Sequence, residues 1–391
     1  MIPSDKNPAL LLIIFLLYSS LSGQTRDQLS DLLSTSGPEI ARVMYSLSDY
    51  ELQIQYTRIS RDSKDNPVFK TMDYQVDSTH YFYPASSVKF PVAVLALEKF
   101  IGKKLKSGKK INLDTPYKID SDTVISSLRK DVEAIFAVSD NEAYNRLYEL
   151  LGRDSINTSL KNIGIKNVKI VHRLSTPNSA EAVTKAVIFN PEGKYPTIFK
   201  GYRSSEIAAL QFESAHKGVG YTENDSLISG KFDFSKKNYF PISAQQELMK
   251  RVIFPLEYAK DEHFNLDKKT RTFLLDAMHK TPRNLGYDEA HYQDSYGKFF
   301  IFGDSKEEIP RYIQIFNKVG YAYGTLTDNA YIKDTKNKVE FLLTATILVN
   351  QNEVFNDGVY EFDTMGIPFL AKLGRIIYDY ELGLQQKGVN K

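Results

Sequence analysis

The sequence predicts an α+β fold: an antiparallel sheet built from both chain ends and flanked by helices, with an all-helical lobe inserted between them. Three observations predict it. Residues 50–76 carry strand signals, three strand-like runs follow residue 312, and helical periodicity dominates the long middle. Strands and helices segregated along a chain, rather than alternating, indicate α+β architecture. With 391 residues, 42% of them hydrophobic, and 25 Tyr and 23 Phe but no Trp, the chain can bury a large core.

The elements follow in order. Ala9 to Leu17 is an apolar run preceded by Lys6 and followed by small and polar residues up to Gly23. It is too short to span a bilayer, which takes about twenty residues. A basic start, a short apolar run and small residues describe a cleavable secretory signal over residues 1–23; a buried N-terminal helix is the alternative. The remaining 24–391 form one domain, with a sheet lobe at about 24–85 plus 310–391 and a helical lobe with an insertion at about 86–309. Asp27 to Ser46 has helical spacing interrupted by Gly37-Pro38. Tyr50 to Ile59 alternates, and after a polar turn a second strand covers Phe69 to Val76. Pro84-Ala85-Ser86 opens a helix whose apolar face (Val88, Val92, Leu95, Ala96) runs to Ile101. Leu128 to Leu151 is helical but broken by Ser139-Asp140-Asn141, residue types that favour caps over helix interiors. Helices are expected at Ala244 to Tyr258 and Lys268 to His279, and an elaborated loop at Asn190 to Pro241. Strands are expected at Ile313 to Lys318, Tyr323 to Ile332 and Phe341 to Val349, then a helix over Met365 to Leu382.

Composition excludes several functions. Lys plus Arg number 50 against 48 Asp plus Glu, a net charge of +2, and nucleic-acid binding calls for a basic stripe. The one basic run, Lys103 to Lys110, reads as a solvated helix end. The absence of Cys rules out disulfides, thiol nucleophiles, thiolate metal sites and an acylated N-terminal Cys. The six His residues lack ligand spacing, so neither metal nor other cofactor is expected. A periplasmic or secreted monomer acting on a small molecule, with no stable membrane anchor after signal cleavage, is the expectation.

Five places read Ser-x-x-Lys, and one of them, Ser86-Ser87-Val88-Lys89, is followed by Ser139-Asp140-Asn141 and then Lys318-Val319-Gly320. The three-residue step places Lys89 one helical turn from Ser86 on the same face. A serine hydroxyl needs a neighbouring base, and a lysine serves only when neutral. Burial beside a second cation, for which Lys318 is the candidate, favours the neutral amine. Ser86 at a helix start offers its own N–H to an oxyanion hole, Ser139 can pass a proton to a leaving group, and Asn141 can hold an acyl side chain. Tyr81, Phe82 and Tyr83 are candidates to line the cleft. The other four Ser-x-x-Lys runs, at Ser107, Ser127, Ser214 and Ser295, read as chance occurrences.

Pro84 to Val92, Ser139-Asp140-Asn141, and Lys318-Val319-Gly320 with the following strand resemble the three boxes of class A β-lactamases within the serine β-lactamase and penicillin-binding protein superfamily. The resemblance implies the β-lactamase/transpeptidase fold and an acyl-Ser86 mechanism with Lys89, Ser139 and Lys318 as catalytic groups. It also implies a substrate-binding role for Asn141, Gly320 and Tyr321, with the oxyanion hole at the N–H groups of Ser86 and Tyr321. A β-lactam or a related amide or ester is the implied substrate. A D-alanyl-D-alanine peptidase-like wall enzyme and a non-catalytic protein binding wall peptides are the rivals. The chain departs from the family twice. Ser175 stands where the deacylating Glu of an Arg-x-Glu loop is expected, with Glu181 nearby in sequence, and Val319 replaces a hydroxyl residue. The 179-residue step from Ser139 to Lys318 also implies an insertion over or beside the cleft.

Overall fold

The computed structural model describes residues 29–388. The signal sequence expected at 1–23 lies outside the described residues. Five strands form one antiparallel sheet: β1 (Gln53–Arg61), β2 (Pro67–Tyr74), β3 (Ile313–Ala322), β4 (Thr325–Asp334) and β5 (Val339–Leu348), in the order β3-β4-β5-β1-β2. The two chain ends join where β1 pairs with β5, from Gln53 opposite Thr346 to Arg58 opposite Phe341. The fold is therefore α+β, with β3 at a sheet edge.

That edge matters for everything below. β3 and β4 are joined by Tyr323 and Gly324, both left-handed (φ 51° and 72°), the conformation of a two-residue type I′ hairpin. Ala322 and Thr325 thus form a hydrogen-bonded pair, and pairs alternate along an antiparallel ladder. The pairs at Tyr321 and Val319 are then non-hydrogen-bonded, so their N–H and C=O groups point away from β4 along the open edge. The strand expected from the sequence ends at Lys318. In the structure the strand runs through it to Ala322.

One sheet face is covered by α1 (Pro38–Tyr45), preceded by a helical stretch at 29–34, and by the C-terminal helix Ile367–Gln386. Gly37 makes the break the sequence predicts, at φ 108°. The core on this side includes Leu33, Ile40, Val43, Ile54, Phe341, Leu343, Leu370 and Ile377. The other face carries the helical lobe, in which α2 (Lys89–Phe100) is central. Ten of its twelve residues are buried, and a helix apolar all round belongs inside a core. Around it lie α3 (Leu128–Ala137), α4 (Asn141–Leu151) and α5 (Arg153–Asn162), while α6 (Ile242–Ile253) and α7 (Lys268–His279) pack on the sheet. α6 stops short of the expected Tyr258 because Pro255 follows.

Three expectations are corrected. The lobe is not all-helical: Tyr117–Ile119, Val187–Phe189 and Thr197–Phe199 form a three-stranded sheet. The 190–241 stretch is not plain loop either. Gly220–Glu223 and Ser226–Ser229 form a hairpin that pairs with Val354–Phe355. Strands of two to four residues are too short to display a period of two. Tyr81, Phe82 and Tyr83 are buried rather than lining a cleft. Tyr81 and Tyr83 pack in an aromatic core with Phe234, Tyr239 and Phe355, anchoring the insertion to the sheet end.

Candidate active site

Ser86 lies in a single 3-10 turn, Ala85–Val88, that runs directly into α2. The N–H of Lys89 bonds back to the carbonyls of Ser86 and Ser87. Ala85, just before Ser86, has φ 45°. A non-glycine residue held there costs roughly 1–3 kcal/mol and needs its surroundings to enforce it.

The edge strand does the enforcing. A Cβ on Gly320 would sit 2.4 Å from Pro84 O, 2.8 Å from Ser87 N and 2.9 Å from Ser86 N. Only glycine lets β3 approach this closely. The approach sets the unpaired N–H of Tyr321 beside the Ser86 turn, two donors converging from different elements.

Between α3 and α4 the chain turns at Ser139 (φ 56°), and the Asp140 carboxylate caps α4 by accepting from Ala143 N at 2.7 Å. This geometry projects Ser139 and Asn141 at Lys89. The fully buried Lys89 Nζ donates to Asn141 Oδ1 at 2.7 Å, to Ser139 Oγ at 3.2 Å and to the Ser139 carbonyl. Lys318 Nζ donates to the same Ser139 Oγ at 2.9 Å and to Val319 O at 2.8 Å. Ser139 thus bridges two buried amines. Burial lowers Lys89 to about 7, partly opposed by the Asp140 carboxylate. Lys318 is depressed well below an ordinary lysine, first by burial and then by the Lys89 ammonium. Among the described residues no carboxylate lies within ion-pair distance of either amine.

Lys89, Ser139, Asn141 and Lys318 thus form one hydrogen-bonded cluster, and Gly320 brings β3, with Tyr321, against the backbone of the Ser86 turn. Asn141 links two segments of the site. Its carbonyl serves Lys89 and its amide donates to Ser175 Oγ at 2.9 Å, so both ends act within the protein. Ser175 is exposed, at φ 50°. Its segment is pinned by Asn145, which brackets Leu174 with two 2.9 Å bonds, and by the buried Arg173–Glu149 ion pair at 2.5 Å. Glu181 is exposed; its carbonyl accepts from Arg173 at 3.0 Å and its N–H donates to Asn178 O at 3.1 Å. Val319 is buried among apolar neighbours and presents no hydroxyl.

Lys298 was legible only as a chance Ser-x-x-Lys. In the structure it is buried directly behind Lys318. Its Nζ donates to Met278 O (2.7 Å), Ile315 O (3.0 Å) and Asn317 Oδ1 (2.7 Å). Asn317, adjacent to Lys318, donates in turn to Asp328 Oδ1 at 2.9 Å, and the Asp328 carboxylate also accepts from the N–H of Phe299 and Phe300. Burial lowers Lys298 to about 7 and raises Asp328 to about 6. No local signal links these residues, which come from a loop and two strands.

Residues 40–197 match the model of the beta-lactamase enzyme family, a span that includes Ser86, Lys89, Ser139, Asn141 and Ser175 but not Lys318. No curated protein matches the chain. Among solved structures it is similar to a beta-lactamase from Sphaerobacter thermophilus, at 11% identity and TM-score 0.48 over 90% of this chain and 97% of that one. A class A beta-lactamase from Clostridium kluyveri gives 15% and 0.48 over 87% and 97%, and one from Mycobacterium abscessus 13% and 0.45 over 91% and 98%.

Proposed function

We propose that this chain, β-lactamase-like by its match over residues 40–197, is an exported serine hydrolase that works through an acyl-Ser86 intermediate. Neutral Lys89 takes the hydroxyl proton as Ser86 Oγ bonds to the carbonyl carbon of a β-lactam or related amide or ester. The N–H groups of Ser86 and Tyr321 stabilise the oxyanion. As the C–N or C–O bond breaks, Ser139 delivers a proton to the leaving atom and is resupplied through the adjacent amines. Water later releases the acyl group. The observation that carries this reading is Ser139 Oγ held between Lys318 Nζ at 2.9 Å and Lys89 Nζ at 3.2 Å. Such an arrangement suits a proton relay better than a structural cap.

A specific contact favours a slow second half-reaction. Where a carboxylate base would activate water, Ser175 takes the Asn141 hydrogen bond. A long-lived acyl-enzyme, as in a D-alanyl peptidase-like wall enzyme, fits that contact. Export is proposed from the N-terminal sequence; among the described residues no helix is long and apolar enough to cross a membrane.

The test is the intact mass of the protein with a fluorescent penicillin, followed over time beside hydrolysis of a chromogenic cephalosporin. A persistent adduct that Ser86→Ala abolishes supports the proposal, and rapid turnover would show a deacylation base elsewhere. Neither adduct nor turnover, with those reagents and with simple esters, would leave the non-catalytic wall-peptide reading. Ser175→Glu should shorten the lifetime of the adduct roughly tenfold or more, since a positioned general base contributes about 10²–10⁴. An unchanged lifetime would show that this position does not reach the deacylating water.

A further inference from the structure

A row of aromatic rings beside the cleft takes no part in the chemistry above. Tyr287 meets Tyr292 edge-on with centroids 5.6 Å apart, and Tyr292 meets Tyr296 at 4.9 Å. Tyr321 lies near enough to Tyr296 to help burial raise its hydroxyl. The Tyr321 ring leans on Phe299 at 6.0 Å and meets Phe362 edge-on at 5.4 Å. The ends of the row are fixed to two sides of the catalytic cluster. Tyr287 lies near enough to Asp140 to feel its carboxylate, and Tyr321 supplies the edge N–H beside Ser86.

Core packing does not account for the row. Tyr287, Tyr292, Tyr296 and Phe362 are only half-buried and Tyr321 is 45% exposed, whereas the aromatic core under the insertion is closed, with Tyr81, Phe234 and Tyr239 at 1% exposure or less. The rings touch one another while each keeps a side open, and the row itself is uncharged. Such a surface favours flat, uncharged rings, which gain from stacking and edge contacts beyond their buried area. It offers nothing specific to a phosphate or carboxylate.

We propose that the row from Tyr287 to Tyr321 is a subsite for a flat, uncharged ring, aromatic or sugar, on the leaving-group side of the substrate. The side is assigned by Tyr287, which lies near enough to feel the carboxylate of Asp140, the chain neighbour of the proton donor Ser139. That assignment rests on the acyl-Ser86 reading; the ring-binding character of the row does not.

Two cephalosporins that differ only at the 3-position, one carrying an aryl group and the other methyl, test the assignment. The aryl compound should acylate Ser86 roughly fivefold faster or more, about what one or two ring contacts supply. In Tyr292→Leu and Tyr296→Leu that ratio should fall towards one, with thermal melting used to verify folding. Equal rates in the native protein, or variants that slow both compounds alike, would overturn the assignment. Titration with indole and with chitobiose, followed through tyrosine ring resonances, reads the row without acylation and separates the aromatic from the sugar source. Shifts confined to the row would support the subsite even if no cephalosporin reacts, which would be a failure of the acyl-Ser86 reading alone. If neither probe shifts those resonances at millimolar concentration, the row is structural.

Discussion

Lys89→Met is expected to slow acylation of Ser86 by about 10²–10⁴-fold, the range a positioned general base supplies. The methionine follows the same path through the core, so the loss should be chemical rather than architectural. It leaves the Ser139 carbonyl and Asn141 Oδ1 without a donor but also removes a buried amine, so the change in stability should be modest beside the change in rate. The pH profile carries the sharper signature. Burial lowers Lys89 from 10.5 to about 7, so the neutral base is present above about pH 7. Below that the acylation rate should fall tenfold per pH unit. The linked stability has the same sign: for a depressed lysine it is fully present above the unfolded value of 10.5 and lost as pH falls through about 7. Labelling rates from about pH 5 to about 9 resolve this limb. A native rate in Lys89→Met, or a flat profile, would remove Lys89 from the role of base.

The second large effect is expected at Lys298. Lys298→Met should destabilise the fold by about 3–5 kcal/mol near neutral pH, as removal of one member of a buried charge network does. Three acceptors, Met278 O, Ile315 O and Asn317 Oδ1, lose their donor at once. Asp328 keeps its N–H partners but loses a compensating charge. The pH dependence follows from the shifts. Lys298 is lowered from 10.5 to about 7, so its contribution is present above 10.5 and lost as pH falls through about 7. Asp328 is raised from 3.8 to about 6, so its contribution is present below 3.8 and lost as pH rises through about 6. The single substitution should therefore cost more as pH rises from about 7 towards 10.5, the range over which the native amine regains its contribution. Adding Asp328→Asn should recover part of the loss, because groups in one network couple by about 0.5–3 kcal/mol. Urea unfolding of the single and double variants measures this, and strict additivity would show that the two charges do not act together.

What the sequence by itself determined is the short-range part. One helical turn sets Lys89 against Ser86 whatever the rest of the chain does. Ser139-Asp140-Asn141 has to break a helix, and Asp140 has to cap the next, because those side chains compete with helical hydrogen bonds. Alternation made β1 readable, and the apolar runs made β4 and β5 readable, because each is long enough to show its pattern. The order of the three boxes was sufficient to nominate Lys318, 179 residues from Ser139.

Only the tertiary structure decided the rest, because burial and contact across the fold have no local signature. It turned Gly320 from an apparent strand end into the close approach that brings the Tyr321 N–H to Ser86. It moved Tyr81 and Tyr83 from the cleft into a closed aromatic core, and resolved the 190–241 stretch into strands too short to be periodic. It joined Ser175 to Asn141, and raised Lys298 from a coincidental motif to a buried amine behind Lys318. The lowered state of Lys89 belongs to the same class, since a side chain's proton affinity is set by the water its neighbours exclude and the charges they bring near.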